Sequence, residues 1–249
     1  TASGARVYFV HAPSIPMLDL SITFDAGGRY SPPDRVGLAS VTNAMLAKGV
    51  PGSDEAAIAE RFASVGAQRS GGAGDDRATV SLRSLVSEPE LDTALSMLER
   101  LLAEPTFPAE VLAREKERLV QSLREAQTKP ETIAGQTFEA LTYPGHPYGR
   151  YATPETVSAI TRDDLVAFHR AHYAASRAVV AMIGAIPRAQ AERIAERLTA
   201  RLPAGSLPPR LPEVARLTQG VERRIEHQAQ QSHILIGAPA IAWGDPDQF

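Results

Sequence analysis

The chain has 249 residues, with 26 lysines and arginines against 29 aspartates and glutamates and a formal net charge of −3. This near balance, without a dense basic cluster, leaves no electrostatic surface for binding nucleic acid. Cysteine is absent, which excludes disulfides, thiolate metal sites and cysteine nucleophiles. The sequence also lacks a run of about 18 apolar residues, the length that a membrane-spanning helix needs.

The first third of the chain is predicted to mix strands and helices. Residues 6–10 and 17–26 are rich in β-branched and apolar side chains and predict two strands. The second alternates polar positions with apolar ones, the period of a half-buried strand, and the apolar ones are Leu18, Leu20, Ile22 and Phe24. A helix is predicted over 38–48, and a second helix follows Ser53 as its N-cap. Residues 77–86 predict another strand.

The middle of the chain is predicted to be helical. Residues 90–104 and 109–129 carry helical patterns, and another helix follows Pro130. Thr161 and Asp164 have the spacing of a capping box at the start of a further helix. Residues 177–184 form an apolar run that predicts a buried strand, and residues 190–202 predict a last helix. The chain is therefore of the α+β class.

Three segments are predicted from the order of these elements. Residues 1–202 form the first domain, and residues 203–217, with several prolines, form a semi-extended linker. Residues 218–249 begin a second, similar domain with strands at 221–227 and 232–240, because Gly220 and His227 repeat the spacing of Gly4 and His11. The unpaired edge that such isolated strands would leave suggests that the chain is one half of a longer polypeptide.

Residues 37–50, GLASVTNAMLAKGV, carry a family resemblance. They match the frame around the H-x-x-E-H helix of inverzincin peptidases at Gly37, Leu38, Ala39, Met45, Leu46, Lys48 and Gly49. Further family-like blocks are FDAGGRYSPPDRVGLA before the helix, the run after Phe107, YPGHPYG at 143–149 and QSHILIGAPA near the end. The chain resembles, essentially end to end, the N-terminal half of a pitrilysin/insulinase-type zinc peptidase. That resemblance implies a largely antiparallel sheet with helices packed on one face.

The catalytic positions of the family are occupied by other residue types. The resemblance places the first histidine ligand on Ser40, the glutamate base on Asn43 and the second histidine on Ala44. The third ligand falls near Ser122, and Glu115 stands where the family often has an additional acidic residue. Zinc sites in proteins are built from imidazole, carboxylate and thiolate groups, and none of these is supplied at the ligand and base positions, which hold Ser40, Asn43, Ala44 and Ser122. We therefore expect neither catalytic residues nor a metal in this chain.

Rival sites have little support in the sequence. His169 and His172 lie on one predicted helix, but no carboxylate partner is evident on another segment. His146 lies in a Gly/Pro-rich block that favours a structural role, and residues 75–76 are most simply a turn between strands. Ser40 as a nucleophile would require a histidine base and an oxyanion hole, and the sequence indicates neither.

The resemblance implies a non-catalytic subunit of a heteromeric zinc peptidase. Such a subunit helps to form a chamber and to hold a peptide or unfolded protein for an active partner, which carries H-x-x-E-H and the zinc. The chain alone would not be an enzyme. The alternative is a structural or assembly protein of the same fold, similar to the core subunits of the cytochrome bc1 complex. The resemblance also favours the periplasm of a bacterium, with a cytoplasmic location as the second choice.

Overall fold

The computed structural model describes residues 1–203, 205, 209–241 and 245–248. Its centre is a five-stranded sheet in the order β1-β7-β2-β6-β5. The strands of this sheet are β1 (Arg6–His11), β2 (Met17–Phe24), β5 (Gln68–Ala73), β6 (Ala78–Leu85) and β7 (Val179–Gly184), and a separate two-stranded hairpin consists of β3 (Gly49–Val50) and β4 (Ser53–Asp54). Only the pair β1–β7 is parallel in the large sheet, so the prediction of a largely antiparallel sheet is confirmed.

Eight α-helices accompany the sheet in the part of the chain that the structure describes. They are α1 (Leu38–Met45), α2 (Glu55–Ala63), α3 (Glu88–Ala103), α4 (Ala109–Ala126), α5 (Pro130–Thr142), α6 (Pro154–Ala159), α7 (Arg162–His172) and α8 (Arg188–Ala200). The capping box predicted for α7 is confirmed, since the side chains of Thr161 and Asp164 each accept from the other's backbone N–H. None of the described helices has the length and apolar character required to cross a bilayer.

The helices pack on one face of the sheet, as expected. The alternation in β2 decides which face this is, because the four apolar residues predicted to be buried are at most 2 % exposed. They share one core with the apolar sides of α1, α3 and α8. The opposite face is open and presents Tyr8, Val10 and Ile183, together with an ion pair between Asp19 and Arg83. The molecule is therefore a two-layer α/β unit.

Several predictions about single elements are wrong. Strand β5, with the sequence QRSGGA, was not predicted because its two glycines weaken the strand pattern, and the six-residue helix α6 was also missed. The N-cap of α2 is Asp54, which accepts from the Ala57 N–H, whereas Ser53 lies in the short strand β4. The helices predicted over 38–48 and 109–129 end at Met45 and Ala126.

The C-terminal segment also differs from the prediction. Residues 209–241 contain neither a helix nor a strand, so the strands predicted at 221–227 and 232–240 are not formed. A strand is held by hydrogen bonds to a neighbouring strand, and this segment pairs with no other strand among the described residues. Side chains such as Ile234 and Ile236, 81 % and 92 % exposed, consequently have no core to enter. The boundaries at 202 and 217 stay a prediction, and part of the predicted linker and the chain end lie outside the described residues.

Candidate functional site

Helix α1 carries three of the four positions at which the family resemblance places catalytic groups. It follows Gly37, whose φ of 106° belongs to the left-handed region that favours glycine. The helix buries its apolar side against the sheet, while Ser40 and Ala44, one turn apart, are exposed. Asn43 is different, because it is only 2 % exposed. The two ligand positions therefore face outward and the base position faces the core.

The Asn43 side chain is engaged in the interior. Its Nδ2 donates to the Thr79 carbonyl at 3.3 Å and to the Tyr173 hydroxyl at 3.2 Å. Tyr173 is fully buried at the end of α7, and burial raises its pKa above the ordinary value although the bond from Asn43 opposes this. An amide cannot accept a proton at ordinary pH, and here both of its hydrogens are used in contacts that join α1 to the sheet and to α7. The Asn43 side chain therefore has a structural role.

Helix α4 carries the fourth position, Ser122, which is exposed and bears no carboxylate. Seven residues earlier, the Glu115 side chain is only 13 % exposed and pairs with Lys48 at 3.2 Å and Arg118 at 2.7 Å. Burial opposes ionisation of Glu115, but the hydrogen bonds from these two cations outweigh it and hold its pKa below the ordinary value. Lys48 also pairs with Glu55 at the start of α2. Through Lys48, the Glu115 carboxylate therefore ties α4 to the segment that follows α1.

The two histidines of α7 have separate environments. His169 is 5 % exposed, and its Nε2 lies 2.8 Å from the Leu102 carbonyl oxygen. His172 lies between the rings of Tyr30 and Phe168, with centroid distances of 4.5 Å to each. Burial, with a contribution from the nearby Arg177 charge, lowers the pKa of His172 to about 4. The described residues contain no group of three His, Cys, Asp or Glu side chains placed to hold a metal.

The remaining candidates are parts of turns. His146 Nδ1 accepts from the Tyr148 N–H at 3.2 Å and thereby caps a short 3-10 helix. Residues 75–76 lie in the turn between β5 and β6, as predicted, where the Gly74 N–H donates to the Arg77 carbonyl. The Asp76 carboxylate in this turn accepts from Arg29 at 2.7 Å and from the Tyr148 hydroxyl at 2.6 Å. These contacts give the residues a role in holding loops.

Zinc, which the family resemblance implies for active members, does not fit the residues of this chain. The outward-facing positions on α1 are Ser40, which offers a hydroxyl, and Ala44, which offers a methyl group. Ser122 offers a hydroxyl, and the buried Asn43 amide donates its hydrogens to other protein groups. A zinc site requires three imidazole, carboxylate or thiolate ligands around an open position. The residues at the family's ligand positions on α1 and α4 therefore do not form a zinc ligand set.

Strand β5 is the feature of the site that sequence reasoning missed. It is an edge strand of the large sheet, so one side of its backbone has no neighbouring strand among the described residues. Helix α1 packs over it, and a side-chain carbon on Gly71 would come within 3.0 Å of Asn43 Oδ1. The signal that could have revealed it is the turn at 74–77, which implies a strand on each side of it. An open strand edge beside a peptidase-type helix is a surface to which an extended peptide can add.

Comparisons with known proteins agree with this geometry. A family model described as Insulinase (Peptidase family M16) matches residues 6–153, and one described as the Peptidase M16 inactive domain matches residues 159–249. The boundary between the two models falls near the start of α7, although β7, which follows it, belongs to the same sheet as β1 and β2.

Individual relatives give the same result. An uncharacterized zinc protease of Rickettsia bellii is 24 % identical over 205 residues, which are 82 % of this chain and 49 % of the relative. A probable mitochondrial-processing peptidase subunit beta of Arabidopsis thaliana is 23 % identical over 98 % of this chain and 47 % of its own length. The chain thus spans about half the length of these relatives.

Solved structures show the fold and, in one case, a closer sequence match. The peptidase M16 inactive domain from Pseudomonas fluorescens superposes with a TM-score of 0.81 at 36 % identity, over 87 % of this chain and 53 % of that one. A protease from Helicobacter pylori superposes with a TM-score of 0.74 at 15 % identity, over 86 % of this chain and 51 % of that one, which supports the fold alone. Since the insulinase model alone covers more than half of the sequence, the chain belongs to the insulinase family, peptidase family M16.

Proposed function

We propose that this chain belongs to a non-catalytic subunit of a heteromeric zinc peptidase, which helps to enclose and hold a peptide while an active partner cuts it. The main support for the proposal is the set of residues on α1. The helix sits on the sheet in the family's frame, yet its ligand and base positions are Ser40, Asn43 and Ala44. A protein with this fold and no group to activate water needs another chain to supply the catalysis.

The free edge of β5 supports the peptide-holding part of the proposal. Gln68, Ser70, Gly71 and Gly72 are all exposed along this strand. The glycines leave the backbone open to close approach, and an extended peptide that pairs here gains main-chain hydrogen bonds without regard to its sequence. Such binding suits a subunit that handles unfolded segments.

A partner is part of the proposal. One relative is named as a subunit of a processing peptidase, and a similar solved structure is named an inactive domain. We propose that the partner carries an intact H-x-x-E-H helix and the zinc ion, and that the assembly works in the bacterial periplasm. Each of these points can be tested on the full-length protein.

The experiment is affinity isolation of the tagged full-length protein from its source cells, followed by mass spectrometry. The expected result is a stoichiometric partner with H-x-x-E-H, whose peptide cleavage rises when the two purified proteins are recombined and stops with a chelator. The Glu→Gln variant of the partner's motif should abolish cleavage, whereas Ser40→Ala in this chain should leave it unchanged. The proposal fails if this protein alone holds one zinc per chain and cleaves peptides, or if it assembles only with itself or with a membrane complex.

A further inference from the structure

Arg69 in β5 is a half-buried cation without a counter-ion. Across the strand pair it is opposite Leu82, whose side chain is 2 % exposed, so Arg69 points to the helix-covered side of the sheet. It makes no hydrogen bond or ion pair with any residue in the described part of the chain. Burial lowers the pKa of its guanidinium, with no charged neighbour to oppose the shift.

The position of Arg69 connects it to the degenerate helix. A side-chain carbon on Gly71, two residues further along the same face, would lie 3.0 Å from Asn43 Oδ1 and 3.7 Å from Arg69 Nη1. The guanidinium therefore lies in the corner between β5 and α1, beside the position where an active relative has its base. The surrounding positions on α1 are uncharged, since Ser40 and Ala44 are exposed and neutral.

Placing an unpaired cation at the margin of a core costs desolvation free energy, a penalty that a water-exposed arginine does not incur. Arginine presents several N–H donors in a planar fork that matches a carboxylate bidentately. A peptide strand added to the outer edge of β5 would place one of its side chains directly opposite Arg69, on the same face and about 5 Å away. That side chain is within reach of the guanidinium.

We propose that Arg69 binds a carboxylate of the held peptide, so that the degenerate site recognises a negative charge beside the position at which the family resemblance places the base. The inference rests on the proposed peptide-holding function and adds a substrate class to it. The carboxylate comes from an aspartate or glutamate side chain or from the peptide's own C-terminus, because the guanidinium chemistry is the same for both. The peptides used in the test distinguish a side-chain carboxylate from the C-terminal carboxylate.

The test is isothermal titration calorimetry of the full-length protein with unlabelled ten-residue peptides. One acetylated and amidated peptide carries a single central Glu in a neutral Thr/Ser/Val sequence, the second carries Gln at that position, and the third is the Gln peptide with a free C-terminal carboxylate. Preference for the Glu peptide over the Gln peptide assigns a side-chain carboxylate, and preference for the third peptide assigns the C-terminus. We expect about tenfold tighter binding for the preferred carboxylate, as a charge-assisted pair gives.

Arg69→Gln should remove this preference and leave the affinity for the amidated Gln peptide within about twofold. The matched control is Arg83→Gln on the neighbouring strand, where the arginine faces the open side and pairs with Asp19, and this variant should keep the preference. Circular dichroism melting confirms that each variant is folded. Equal affinity of the wild type for all three peptides, or a preference that survives Arg69→Gln, overturns the inference and leaves the proposed function intact. Absence of any peptide binding overturns the inference too, and the partner-reactivation assay then judges the subunit role independently.

Discussion

Replacement of Asn43 by alanine tests whether the family's base position has become part of the core. In the described residues, Asn43 is the only hydrogen-bond partner of the Tyr173 hydroxyl, and that tyrosine is fully buried. The variant loses two hydrogen bonds worth about 1 kcal/mol each and leaves a hydroxyl without a partner, which costs about 1–3 kcal/mol. Because these terms overlap, we expect a loss of about 2–3 kcal/mol. For a domain of this size that lowers Tm by about 4–12 °C.

The assay is thermal and urea denaturation followed by circular dichroism, with Ser40→Ala as the control. Ser40 is exposed on the same helix, so its replacement should change stability by less than about 0.5 kcal/mol. A double-mutant cycle with Tyr173→Phe isolates the contact, and we expect a coupling energy of about 1 kcal/mol. An Asn43→Ala variant as stable as the Ser40→Ala variant, with no coupling to Tyr173, would refute the structural role of position 43.

Three further predictions concern charged and titratable groups. Glu115→Gln should lower Tm by about 2–4 °C because it breaks a mostly buried ion pair with Lys48, whereas Glu125→Gln on the exposed side of α4 should have no effect in the same melts. Since His172 has a pKa of about 4 when folded and 6.5 as a free group, its neutral form is favoured by folding, and stability is lost as the pH falls from about 6.5 towards 4. The Tm of the wild type should therefore fall relative to His172→Phe over this range, and a constant difference between the two would contradict the assignment. Arg69→Met should raise Tm by about 1–3 °C because an unpaired, desolvated cation is removed, and a lower Tm would show that Arg69 has a stabilising partner.

Local patterns predicted the elements whose stability is local. The period of two in β2 and the capping box of α7 depend on neighbours in the sequence, and both are found. Strand β5 was missed because it owes its conformation to pairing with β6, which overrides the low strand propensity of its glycines. The strands predicted beyond residue 217 failed for the opposite reason, since their composition favours strands but the segment pairs with no other strand in the described part of the chain.

The site was predictable only in part, for a related reason. The family frame locates positions 40, 43 and 44, and helical geometry alone places the first and last on one side of α1. The two hydrogen-bond partners of Asn43, Thr79 and Tyr173, are 36 and 130 residues away in the sequence, so no local pattern indicates these contacts. The environment of Arg69 depends on which face of an edge strand is covered by a helix, which is a property of the assembled sheet. The contacts of Asn43 and the environment of Arg69 are therefore visible only in three dimensions.

The distribution of burial on α1 explains how this fold tolerates other residue types at the positions where the family resemblance places metal ligands. Ser40 and Ala44 are exposed, so side chains at the two ligand positions add little to the packing of the helix, and the core contacts are made by residues such as Val41 and Met45. Replacement of one residue type by another at such exposed positions changes the folding free energy very little. Position 43 is buried, so a replacement there must satisfy the polar groups around it, and an amide that donates to both Thr79 and Tyr173 does so. The ligand positions can therefore lose their chemistry freely, whereas the base position is constrained to a residue that bonds in the interior.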